Sequence, residues 1–223
     1  MSISRYCKHY NLLFSPDLVQ RVYERQAKYA VPVDKGLSVR DEAQRAYRIA
    51  RAAWHAWQAE ATDSTQRQYI RHILEKVLGY SHLTECPDRG IPPEEQKNTQ
   101  NLFGPTFETE ANAGVHLFPI SLLLGAGTNK PVLPVIIAPA DKTLDAKIRF
   151  STGQHLSATQ MMQAFLNASE YYTWAIVTNG SNWRLLRDNP ALSRPCYLDI
   201  DLDRLLDEED STAFDGLFWH MLH

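Results

Sequence analysis

The chain contains no run of eighteen or more apolar residues, so no membrane-spanning helix is expected from it. Its opening residues, MSISRYCKHYNLLF, lack the apolar core of a secretory signal. Cysteine is scarce. Cys7, Cys86 and Cys196 are odd in number and far apart, which excludes a zinc-ligand spacing and fits a reducing cytoplasm. A general basic excess is also missing: the formal net charge is −3. Any contact with nucleic acid must therefore be local. No phosphate loop is present, because Gly125-Ala-Gly127 before Lys130 does not complete G-x-x-x-x-G-K-S/T. Internal repeats and low-complexity tracts are absent as well.

The 223 residues, 44% of them hydrophobic, suffice for one large domain or one domain with an appendage. Charge is uneven along them. Residues 1–85 hold 13 Lys/Arg against 9 Asp/Glu, whereas residues 188–223 hold 2 against 9.

Residues 38–61 carry the clearest helical pattern, with Ser38 as a possible cap. Ala43, Ala46, Tyr47, Ala50, Ala53, Trp54 and Trp57 share one arc. Arg40, Gln44, Arg48, Arg51 and His55 line a second arc, a basic stripe suited to phosphates. The competing reading is a solvated flank whose arginines pair with acids elsewhere. Asp63 reads as the cap of the next helix, with Gln66 at its third position. Tyr69, Ile70, Ile73, Leu74, Val77 and Leu78 form its buried face, and Gly79 ends it. Residues 84–105 read as a long loop.

Two apolar strands are expected at 114–124 and 132–138. Pro119, Pro134 and Pro139 each remove a ladder donor, which predicts irregular or edge positions. Residues 153–200 then make a helix–hairpin unit. Ser157 and Gln160 have capping-box spacing. Met161, Met162, Phe165 and Leu166 form the apolar face, and Gln160, Gln163, Asn167 and Glu170 the polar one. Trp174–Thr178 reads as a buried strand. Asn179-Gly180 supplies turn residues, and Trp183 starts a return strand.

Tyr197–Asp203 alternates Leu198, Ile200 and Leu202 with Asp199, Asp201 and Asp203, the period of a half-buried strand. A calcium loop is not expected there, because Arg204 replaces the needed glycine and Asp210 the twelfth-position glutamate. Asp207–Asp210 reads as a solvated acidic bend. Leu217–His223 reads as an amphipathic helix stopped midway, as in a truncated chain. Cys7 with His9 lacks the context of a nucleophile, His116 reads as a core histidine, and His220 and His223 as incidental.

The helix–hairpin unit resembles the N-terminal region of large adenine-N6 DNA methyltransferases of type IIG-like restriction–modification and phage-defence systems such as DISARM and BREX. The resemblance rests on Leu156, Gln163, Phe165-Leu166-Asn167, Ser169, Trp174, Ile176-Val177, Asn179-Gly180, Arg184-Leu185-Leu186-Arg187-Asp188-Asn189, Leu192, Arg194, Tyr197 and Asp201-Leu202. It extends over residues 110–223, through His116–Ile120, Leu133–Val135 and Leu144-Asp145. It implies a bacterial, cytoplasmic protein with an α/β (α+β) fold: a helical N-terminal part, 1–83, packed on a mixed, restriction-endonuclease-like sheet at 106–223. It also implies double-stranded DNA as partner, a methyltransferase domain downstream in a parent chain, and defence-system subunits. Arg40, Arg48, Arg51, Gln160 and Gln163 are then the candidate DNA contacts.

The methyltransferase motifs are not in this chain. Pro92-Pro93 does not make the Asn/Asp-Pro-Pro-Tyr/Phe motif, and a glycine-containing cofactor loop is missing, so S-adenosylmethionine belongs to the suspected parent. A PD-(D/E)XK nuclease needs an acid on one strand and acid-x-Lys on the next to hold Mg²⁺. Here Ala138 and Ala140 stand at the expected positions. Glu75, Glu108, Glu110, Asp141, Lys142 and Asp145 are the candidates for a displaced site. Three readings follow: a non-catalytic DNA-associated domain, an active Mg²⁺-dependent endonuclease, and a module that docks system partners through the acidic tail.

Overall fold

The computed structural model describes residues 5–11, 13–24, 38–86, 118–125, 131–150, 153, 155–168, 172–188 and 196–223. Helix α1 (Pro16–Tyr23) was not expected, yet its signal is local: Ser15 caps Leu18 N–H at 3.1 Å and Pro16 opens the first turn. Helix α2 (Val39–Ala59) starts at the Ser38 cap and buries Ala43, Ala46, Tyr47, Ala50 and Trp57 as its periodicity requires. The cap of α3 (Asp63–His72) is Thr62, not Asp63. Thr62 and Thr65 close a reciprocal capping box, and Asp63 lies in the first turn, where its charge complements the helix dipole. A π-helical turn (Ile73–Val77) continues α3, and Gly79 leaves it at φ 75°.

The fold is mixed α/β. Strands β1 (Cys7–Tyr10), β2 (His82–Glu85), β3 (Leu122–Gly125), β4 (Pro131–Ile137), β7 (Trp174–Thr178), β8 (Asn182–Arg187) and β9 (Cys196–Asp201) form one sheet in the order β1-β9-β8-β7-β4-β3-β2. The pairs β1/β9, β2/β3 and β3/β4 are antiparallel, and β4/β7 is parallel. Helix α4 (Ala158–Ala168) lies between β4 and β7 in the chain and packs on both. Strands β5 (Lys147–Arg149) and β6 (His155–Ser157) pair separately.

Pro134 lies in an interior strand rather than at an edge, and the β3/β4 pairing that holds it carries an irregularity, a register shift at Leu124/Gly125. The ladder with β7 begins only at Val135, one residue beyond the proline, so its missing donor falls where that side is unpaired. The expected strand 114–124 is observed over its last residues; residues 87–117 lie outside the described ones.

Chain segments interleave to make two compact units. One comprises residues 1–80, 180–184 and 197–223. Trp183, Phe214, Phe218, Trp219, Ile70, Ile73 and Leu74 are buried in it, each such side chain contributing about 1.5–3 kcal/mol. Trp219 donates to the Val77 carbonyl at 3.0 Å, and Tyr80 to that of Leu222 at 2.9 Å. The other unit comprises residues 81–179 and 185–196. Leu122–Leu124, Val135, Ile136, Met161, Met162, Leu166 and Ala175–Val177 are buried in it.

The tail corrects two expectations. The strand stops at Asp201, whose side chain accepts from Arg204 N–H and so caps α5 (Leu202–Asp207); Asp203 is helical. In the last segment, α6 (Ser211–Ala213), a π-helical turn (Phe214–Trp219) and α7 (His220–Leu222), every residue from Phe214 to Trp219 is buried, while His220 and Met221 are half-buried and His223 is exposed. His220 is not incidental: its Nδ1 lies 2.8 Å from the buried Asp215 carboxylate.

Candidate nucleic-acid interface

Arg40 and Arg48 are exposed on α2, and neither makes an ion pair among the described residues. Arg51, on the same stripe, is engaged: its guanidinium pairs with Glu209 on the bend after α5. Next to it, Trp54 Nε1 donates to the Asp203 carboxylate at 2.7 Å. Asp203 also bonds Ser181, while burial raises its pKa. The helix flank thus faces acids of the tail, a charge order that opposes phosphates at Arg51 and leaves Arg40 and Arg48 open.

The acidic bend is built in rather than merely solvated. Glu208 accepts from Arg5 (2.6 Å), Tyr6 (2.7 Å) and Arg204 (2.8 Å). Asp210 caps Ala213 N–H at 2.9 Å and accepts from Tyr6 at 3.1 Å. Glu209, between them, adopts φ 54°. The Arg204 hydrogen bond first, then those of Tyr6 and Arg5, lower the Glu208 pKa from 4.5 to about 2. A depressed carboxylate stabilises the fold above its unfolded value and loses that contribution as pH falls through its folded value. Stability should therefore decline between pH 4.5 and about 2. Glu208→Gln should flatten that part of a thermal-melt series against pH; an unchanged slope would remove Glu208 from the account.

The glutamines sit in the other unit. Gln160 is exposed and its Oε1 accepts from Ser157 N–H at 3.0 Å, while Ser157 Oγ accepts from Gln160 N–H at 3.1 Å. Gln163 is half-buried. Its amide nitrogen donates to Asn167 at 2.6 Å and reaches the Asp188 carboxylate at 3.4 Å.

The charged residues of the Arg184–Asp188 run serve the fold. Arg184 is buried and meets Asp199 with two bonds, 2.5 and 2.7 Å, while its guanidinium lies 3.9 Å from the centre of the Tyr197 ring. Arg187 is exposed and lies over the Trp174 ring at 5.2 Å. These partners come from β7 and β9, so the run alone did not show them.

For a displaced metal site, Asp141 and Lys142 are exposed and pair with each other at 2.9 Å. Asp145 is exposed, Glu75 pairs with Arg71 at 3.0 Å in the other unit, and Glu108 and Glu110 lie outside the described residues. Strands β3 and β4 carry only apolar residues, proline and glycine. Among the described residues no three His, Cys, Asp or Glu side chains converge as metal ligands. Burial pushes the Cys7 and Cys86 thiols up to about 12, which makes both poor nucleophiles.

An open apolar groove of about 520 Å³ lies between α2 and α3, over Ala52, Ala56, Trp57, Gln68, Tyr69 and His72. It is on a different side of α2 from the arginine stripe. No helix among the described residues is long and apolar enough to cross a membrane. Comparison with protein-family models, with curated proteins and with solved structures gave no match.

Proposed function

We propose that the chain is a non-cleaving, DNA-associated domain of a restriction–modification or phage-defence DNA methyltransferase, with a restriction-endonuclease-like core. The observation that carries the reading is the pairing of β3 with β4. A metal-dependent nuclease would place its acids on two such neighbouring strands, and here both are apolar. The β2-β3-β4 meander, followed by α4 and the parallel strand β7, supports the nuclease-like half of the reading. The resemblance of the helix–hairpin unit supports its placement on DNA. Arg40 and Arg48 are the strongest contact candidates because nothing described neutralises them. Docking through the acidic tail is the weaker alternative, since Glu208, Glu209 and Asp210 are engaged within their own unit.

The test is fluorescence anisotropy with a labelled duplex across a salt series. Affinity should fall with salt, and Arg40→Ala/Arg48→Ala should reduce the slope of log K against log salt by about 2. No binding at low salt would sink the proposal. Plasmid nicking with Mg²⁺ that Asp141→Ala or Asp145→Ala abolishes would establish the nuclease reading instead.

A further inference from the structure

We infer that Glu209 is an internal stand-in for a DNA phosphate, holding Arg51 of the α2 stripe until duplex DNA displaces it. The inference rests on the DNA reading above and adds a self-blocking contact to it.

Three observations place Glu209 in that role. First, the two acids beside it have other partners. Glu208 is held by Arg5, Tyr6 and Arg204, and Asp210 caps α6 and takes the Tyr6 hydroxyl. Glu209 alone of the three reaches the stripe, where it pairs with Arg51. Second, the backbone holds it there. Glu209 sits at φ 54°, a left-handed conformation that a non-glycine residue rarely adopts. Its N–H donates to the Leu206 carbonyl at 3.4 Å and the Asp210 N–H to that of Leu205 at 3.2 Å. The bend therefore projects one carboxylate at its apex. Third, the pair is open to water: the Glu209 side chain is 62% exposed and Arg51 35%. Exposed pairs are weak and salt-screened. A polyanion can compete for Arg51, which would not hold for a buried pair such as Arg184–Asp199.

Charge complementarity fixes the occupant. Arg40 and Arg48 remain open along the same arc as Arg51, so a ligand with repeating negative charge meets three cations only after Glu209 has left.

The experiment uses the same anisotropy assay with Glu209→Gln, Arg51→Ala, the double variant and Asp207→Asn. Asp207 is an exposed acid on the same tail and controls for bulk charge. In the wild type DNA must first break the exposed Arg51–Glu209 pair, which weakens binding by up to about fivefold, whereas the number of phosphates neutralised in the complex, and so the salt slope, is the same in both proteins. Glu209→Gln should therefore bind up to about fivefold more tightly, exceed Asp207→Asn, and lose its gain in the Arg51→Ala background. A gain no larger than that of Asp207→Asn, or one that persists without Arg51, overturns the inference and leaves the DNA reading standing. If neither wild type nor Glu209→Gln binds duplex at low salt, both fall together. Thermal melts of each variant verify that the fold is retained.

Discussion

Arg184→Ala should destabilise the chain by about 3–5 kcal/mol, the cost of breaking a buried ion pair from one side. The Arg184 side chain is 4% exposed and Asp199 20%. Removing the guanidinium takes two hydrogen bonds from the Asp199 carboxylate and leaves space beneath the Tyr197 ring, which stacks on Tyr10 at 4.3 Å. Replacing both partners together, as Arg184→Met/Asp199→Leu, should recover much of the loss, because an apolar pair has no charge to keep out of water. Urea unfolding of the three proteins measures both effects. A loss below about 1 kcal/mol for Arg184→Ala would mean that water reaches Asp199 freely, returning Arg184 to the list of possible ligand contacts.

Gly180→Ala should cost about 3 kcal/mol, more than the same change at Gly153. Both glycines hold left-handed backbones, φ 95° and 92°. A methyl group at Gly153 meets nothing within 4 Å, so that variant reports backbone strain alone, about 1–3 kcal/mol. At Gly180 the added carbon falls 2.9 Å from the Trp57 ring. That ring cannot swing aside easily, because it stacks on Tyr69 at 4.7 Å with an 11° tilt. Overpacking of this kind adds about 1–3 kcal/mol. Chemical denaturation of both variants gives the difference, and equal losses would show that Trp57 yields.

Features carried by near neighbours were legible in the sequence. The Ser157/Gln160 box, the Asn179-Gly180 turn and the buried arc of α2 each depend on residues a few positions apart, where periodicity and capping chemistry act. Strand β1 is not of that kind. Four residues at the start of the chain become a strand only because β9 lies beside them, almost two hundred positions later. The position of Pro134 in an interior strand likewise depends on where the β7 ladder begins. The candidate interface divides in the same way. Helical spacing brought Arg40, Arg48 and Arg51 to one arc, but the partner of Arg51 lies 158 residues away and no local pattern points to it. The acidic bend misled for a related reason. A run of four acids reads as solvated until Arg5, Tyr6, Arg51 and Arg204 are brought around it.

The unit that contains α2 and α3 is closed by residues 180–184 and 197–223, and this imposes a schedule on synthesis. Val77 receives its bond from Trp219, and Tyr80 donates to Leu222. A ribosome adding about 5–20 residues per second needs roughly seven to thirty seconds to pass from the end of α3 to these partners. Throughout that interval the apolar faces of α2 and α3 lack the surface that buries them. The nascent chain therefore carries its first helices uncovered until residues 214–222 have been made.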